Sequence, residues 1–176
     1  MRSFAVAALA CLFVGCAFQI PSYQVGAEDP SLRGLDRKVK IVSHPPAFKD
    51  TGSIACRGTV TVDLPNNQTF TTYISSALIM ELAAAELMSE TADLVLSMKL
   101  EKVDFSTMLG ATNWYIDARY EIDGESFLVS TVYKDRSSYL GEKACANMAE
   151  YFRKALALHF RQLFNATVLR SKLKAT

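Results

Sequence analysis

What this chain lacks narrows its function before any motif is read. No charge of one sign dominates: the formal net charge is +1, and of 19 basic residues only Arg2 lies within residues 1–15, which leaves 18 against 18 acidic ones. Phosphate backbones are bound through a dominant basic field, so this balance argues against nucleic acid as the partner. There are two histidines, His44 and His159, and no Cys-x-x-Cys or Cys/His spacing, so no metal or redox site is expected. Gly-x-Gly-x-x-Gly, the phosphate loop and Gly-x-Ser-x-Gly are all missing, and no cofactor is expected. The apolar run Phe4 to Gly15 is shorter than the about 20 residues a membrane-spanning helix needs.

What is present is the composition of one globular domain, with half of 176 residues hydrophobic and 21% charged. Met1-Arg2-Ser3 supplies a positive start and Phe4 to Gly15 an h-region, as in a secretory signal. The junction Leu12-Phe13-Val14-Gly15-Cys16 resembles the lipobox of bacterial lipoproteins, although Phe13 stands where Leu is usual. The resemblance implies a signal peptide over residues 1–15, cleavage before Cys16 and lipidation there. Cys11 is a competing site with almost no h-region, and the junction is also compatible with ordinary signal cleavage or with a retained anchor. Ala17 follows the cysteine where an Asp would favour the inner membrane, so the resemblance implies an outer-membrane anchor with the domain in the periplasm. The membrane, through this lipid, is the expected first partner.

With Cys11 removed and Cys16 lipidated, Cys56 and Cys145 remain. In an oxidising compartment they can form one disulfide, the alternative being two separate buried thiols.

Residues 16–36 mix Pro, Gly and polar residues without a period and are expected to be a lipidated tether, with a single domain over 37–176. A short strand is expected from Arg37 to Val42 and the first main strand from Arg57 to Leu64. Thr69 caps a helix expected over 70–89. A strand follows from Leu94 to Phe105 with a slip near Lys102, then a second from Thr112 to Ile122. Asp123-Gly124 predicts a two-residue type I′ hairpin that sets Ile122 opposite Glu125 and Trp114 opposite Tyr133. The last helix is expected over 141–164, followed by a frayed basic tail at Arg170 to Lys174. The order β-α-β-β-β-α predicts a two-layer α+β domain: an antiparallel meander with two amphipathic helices on one face.

Three features stand out. Glu81 lies in the apolar face of the first helix, where an unpaired carboxylate costs several kcal/mol. Its bland explanation is a buried ion pair with Arg57. Its functional one is a general acid or base, for which no nucleophile or second carboxylate is evident in the sequence. His159, inside the apolar arc of the last helix, is expected to be a hydrogen-bonded core residue, with titration near neutral pH as the rival. Tyr115, Leu128 and Val132 lie among Asp117, Arg119, Lys99 and Glu101 on the outer sheet face, a candidate docking surface.

Cys56-Arg57, Tyr73 with Ala77-Leu78 and Glu81-Leu82, Trp114, Gly124 with Phe127, and Ala144-Cys145 together resemble uncharacterised proteobacterial envelope lipoproteins. The element order is also similar to that of lipoprotein accessory subunits of lipopolysaccharide and lipid transport machines. The first resemblance brings no known activity with it and the second is a likeness of fold alone. The absence of a catalytic constellation favours a non-catalytic subunit that docks on an envelope complex or binds an amphiphile. The alternative is a small anchored enzyme using Glu81 or His159.

Overall fold

The computed structural model describes residues 17–26, 30–58, 60–108 and 111–174; the expected signal and Cys16 lie outside these residues. In chain order the elements are β1 (Ala17–Gln19), β2 (Lys40–His44), β3 (Ser53–Ala55), β4 (Thr61–Asp63), α1 (Phe70–Ala84), β5 (Val95–Met108), β6 (Ala111–Ile122), β7 (Glu125–Arg136), α2 (Gly141–Asn165) and α3 (Thr167–Leu173). The protein is α+β, with a four-stranded sheet in the order β2-β5-β6-β7 and a three-stranded sheet in the order β1-β4-β3.

The hairpin forms in the expected register: Ile122 faces Glu125, Tyr120 faces Phe127 and Trp114 faces Tyr133. Asp123 and Gly124 take φ values of 51° and 76°, the left-handed pair that a type I′ turn requires. The slip in β5 falls between Leu100 and Lys102, where the register against β6 shifts. Leu96, Met98 and Leu100 of β5 and Trp114, Ile116, Ala118, Tyr120 and Ile122 of β6 are buried on the inner face. Trp114 faces Tyr133 across the strands, but its ring packs on Phe105 and on Phe152 of α2, with centroids 4.8 and 4.7 Å away. Both helices cover this face.

The first main strand is not where the sequence placed it. Only Thr61–Asp63 of the Arg57–Leu64 stretch is extended, and it belongs to the small sheet. Before it the chain turns: Val60 N–H donates to the Arg57 carbonyl, and Gly58 takes φ 62°. The main sheet takes β2 as its edge, parallel to β5, which the antiparallel scheme did not contain. Parallel pairing needs a long crossover, and the small sheet and α1 provide it.

α1 begins as expected, with Thr69 Oγ1 accepting from Thr72 N–H. It ends earlier than residue 89. Glu86 turns left-handed at φ 59°, Leu87 N–H reaches back to the Leu82 carbonyl, and Leu87 enters the core, which is a Schellman closure. A second cap comes from a distant loop: the Asp50 carboxylate accepts from Phe70 N–H, Thr71 N–H and the Thr71 hydroxyl, each at 2.7 Å. Asp50→Ala is expected to cost about 1–2 kcal/mol in urea denaturation, as for other lost N-caps. A change within error would deny the cap a role.

Residues 17–26 and 30–36 do not behave as a tether. β1 pairs in parallel with β4, Ile20 is fully buried, and Leu32 and Leu35 are in the core. These apolar residues follow no regular period, so the sequence pattern hid them; β1 and the turn at Leu32 pack on α2. The basic tail is not frayed either. α3 buries Leu169 and Leu173, four residues apart on one face, and the Leu173 carbonyl accepts from the N–H groups of Asp36 and Arg37. Lys172 reaches Asp123 and Glu125 at the hairpin, 3.0 and 2.7 Å away.

Candidate functional site

The N-terminal segment lines a cleft against α2. Tyr23, Gln24, Gly26 and Pro30 form one wall, Glu81 of α1 contributes to the lining, and the outward flank of α2 forms the other wall. The cleft has a volume of about 580 Å³, within the roughly 300–1,000 Å³ of small-molecule sites. Its apolar lining is Tyr23, Ala157, Phe160 and Phe164, and its cations are Arg153, Lys154 and Arg161.

α2 supplies most of these side chains because its buried arc is wider than its sequence period suggested. Ala149, Phe160 and Phe164 are buried beside the expected stripe, since the N-terminal segment covers that flank. The Tyr23 ring makes edge contacts with Phe160 at 6.1 Å and with Tyr73 at 6.5 Å. Tyr73 donates to the Pro21 carbonyl at 2.8 Å. Burial pushes the Tyr73 phenol up to about 12, against the opposing pull of the nearby Arg153 charge. Arg153 Nε is buried, and no described residue accepts from it.

Glu81 and Arg57 do not pair. Glu81 is buried, as its place on the helix demanded, but it accepts from the Tyr23 hydroxyl. Arg57 donates through Nε to Thr107 Oγ1 and through a terminal nitrogen to the Thr107 carbonyl, both at 3.0 Å. The expected pairing assumed that Arg57 opens a strand alongside the helix. It lies instead in the turn before β4 and reaches the end of β5. The structure also brings a second carboxylate, Glu150, to the cleft lining with Glu81. Only the fold joins such distant stretches of chain around one opening, so sequence spacing carried no signal of it.

His159 lies outside this cleft and is fully buried. Its Nε2 is 2.9 Å from the Tyr120 hydroxyl and its Nδ1 2.9 Å from Thr131 Oγ1. Thr131 donates its own proton to Oε1 of Gln162, so its oxygen accepts from Nδ1–H. Nε2 is left to accept from the Tyr120 O–H, and every polar atom in the row is satisfied by a neutral imidazole. Burial pushes the imidazole down to about 3 and the Tyr120 phenol upward. A proton acceptor with this geometry is a core residue, as expected.

Cys56 and Cys145 are disulfide-bonded, with Cα atoms 6.0 Å apart; the bond ties the turn before β4 to the first turns of α2. On the outer sheet face Tyr115 opposes Val132 as expected, and Leu128 and Val132 are each 47% exposed. Tyr115 is partly covered, with Lys102 Nζ 4.7 Å from its ring centre. More exposed apolar side chains occur elsewhere, at Met108, Tyr139 and Leu140. No sequence pattern singles these out, because each sits at an element end rather than in a periodic face. Among the described residues no three metal-ligating side chains cluster, and no helix is long and apolar enough to cross a membrane.

No family model matches the chain. No curated protein matches its sequence either. Its fold is similar to that of protein XCC0632 from Xanthomonas campestris, of the family DUF330, with TM-score 0.62 and 12% identity over 89% of this chain and 96% of that one. That likeness shows a shared fold with an uncharacterised bacterial protein. A putative neuraminyllactose-binding hemagglutinin homolog from Helicobacter pylori aligns more weakly, with TM-score 0.41 and 12% identity over 87% and 95% of the two chains. At that level the alignment carries no functional argument.

Proposed function

We propose that this is a non-catalytic bacterial envelope lipoprotein that binds an anionic amphiphile in the cleft between its N-terminal segment and α2. The observation that carries the reading is the cleft's composition: an apolar lining of Phe160, Phe164 and Ala157 beside Arg153, Lys154 and Arg161. Aromatic walls suit an acyl chain, and guanidinium groups suit a carboxylate or phosphate head. The described lining contains no Ser, Thr, Cys or His, so it holds no hydroxyl or thiol nucleophile paired with an imidazole base. The signal-like N-terminus and the disulfide are in keeping with an oxidising compartment. The exposed Leu128 and Val132 with Tyr115 are the proposed contact for a protein partner in the envelope.

A dansyl-labelled long-chain fatty acid is the probe. Arg153→Ala is expected to weaken its binding about ten- to a hundredfold, the worth of a hydrogen bond to a charged group. Ala157→Trp, at an exposed position on the cleft wall, should abolish binding with the melting temperature unchanged. Undiminished binding in both variants would remove the cleft from the proposal. Glu81 and Glu150 in one cleft favour a second reading, an acid/base pair. Loss of cellular function in Glu81→Gln, with probe binding and folding intact, would favour that enzyme.

A further inference from the structure

The end of the domain opposite the Asp123-Gly124 turn gathers features that no single element contains. β5 ends there at Met108, which faces Ala111, and Ala111 faces Arg136 at the end of β7. The chain then passes through Tyr139 and Leu140 into α2. Met108, Tyr139 and Leu140 are 70%, 75% and 71% exposed, the most exposed large apolar side chains among the described residues. Scattered exposed apolar residues are ordinary. Three at one end, beside the exposed Arg136 and Lys143, form the amphipathic edge that suits a bilayer interface.

The start of the described chain lies at this same end, by a continuous series of contacts. Ala17 faces Thr61 in the parallel pairing of β1 with β4. Val60, next to Thr61, donates its N–H to the Arg57 carbonyl at 3.1 Å. The Arg57 side chain holds Thr107, the neighbour of Met108, and a β-carbon built on Gly141 would lie 3.7 Å from Arg57 Cδ. Gly141 directly follows Leu140. Cys56, beside Arg57, is bonded to Cys145 one turn into α2. Ala17, Met108, Tyr139 and Leu140 therefore share one end, and the apolar segment Phe4 to Cys16 joins the domain at Ala17.

We propose that this end rests on a lipid bilayer, with Met108, Tyr139 and Leu140 entering the headgroup layer. The contact rests on the lipoprotein reading for its orientation, because a lipid on Cys16 leaves the domain at this end. It adds a contact made by the domain itself to the attachment through the lipid, and so fixes which face of the domain meets the bilayer. Arg136 and Lys143 flank the apolar tips with Glu142 between them, so burial of apolar surface rather than net charge drives the contact.

The test uses the full chain in vesicles of phosphatidylethanolamine and phosphatidylglycerol with brominated acyl chains. Leu140→Trp adds a fluorophore at the proposed contact; Leu128→Trp adds one on β7 about 27 Å of strand from Arg136. Trp114 is buried in both and gives a common background. Emission from the Leu140→Trp chain is expected to fall about twofold or more, with the Leu128→Trp chain unchanged. Equal quenching at both positions, or none at residue 140 in a vesicle-bound chain, would overturn the proposal. Fatty-acid labelling at Cys16 reads the anchor separately. A labelled chain without quenching at residue 140 sinks the contact alone; an unlabelled chain that floats with vesicles and is quenched there keeps the contact and sinks the lipoprotein reading.

Discussion

Removing both sulfurs, in Cys56→Ala with Cys145→Ala, is expected to destabilise the domain by about 4–5 kcal/mol. The bond closes a chain segment with a sequence separation of 89, and the entropy of the unfolded ensemble falls with the logarithm of that length. A loss of that size lowers the melting temperature of a domain this large by about 10–20 °C. The position adds to the effect. Cys145 is fully buried and Cys56 holds the small sheet against α2, so the reduced protein loses the tie between the small sheet and that helix at the end where β1 begins. Urea denaturation of the wild type with and without reductant, beside the double variant, measures it. Coincident curves for all three would mean that the bond constrains neither state.

The second large effect is a dependence on pH carried by His159. The folded protein holds the imidazole neutral because burial pushes it down to about 3, whereas the unfolded chain takes up a proton near pH 6.5. The folded pKa is depressed, so below pH 6.5 the unfolded state binds more protons. The contribution of the neutral imidazole is complete above about pH 6.5 and declines as pH falls toward 3. The slope approaches about 1.4 kcal/mol per pH unit, or about 4 kcal/mol by pH 3.5. His159→Gln should be less stable than wild type at pH 7.5, because it disturbs the row from Tyr120 to Gln162. Its stability should then fall less steeply between pH 6.5 and 4.5. Parallel curves for the two proteins would refute the assignment.

Much of the fold was legible because it depends on neighbours in sequence. Asp123-Gly124 admits one kind of turn, and alternation on either side of it set the register of β6 against β7 to the residue. The period of α2 placed Cys145, Phe152 and His159 inward, and Thr69 marked the start of α1. Glu81 was rightly singled out as buried, since that follows from its helix face alone.

What the sequence could not reveal is every feature that depends on an unperiodic segment or a distant partner. Ile20, Leu32 and Leu35 recur at no regular spacing, yet they are buried in the core, and the segment they belong to is a cleft wall rather than the expected tether. Arg57 and Glu81 were joined on the premise of a strand; the turn at Gly58 sent Arg57 to Thr107 and left Glu81 to Tyr23. The cleft, its second carboxylate Glu150 and the exposed end at Met108, Tyr139 and Leu140 exist only once the chain is closed. Local periodicity determines which way a side chain faces, because backbone geometry repeats over a few residues. Which surface it then meets depends on long-range packing between elements, and here that packing decided the site.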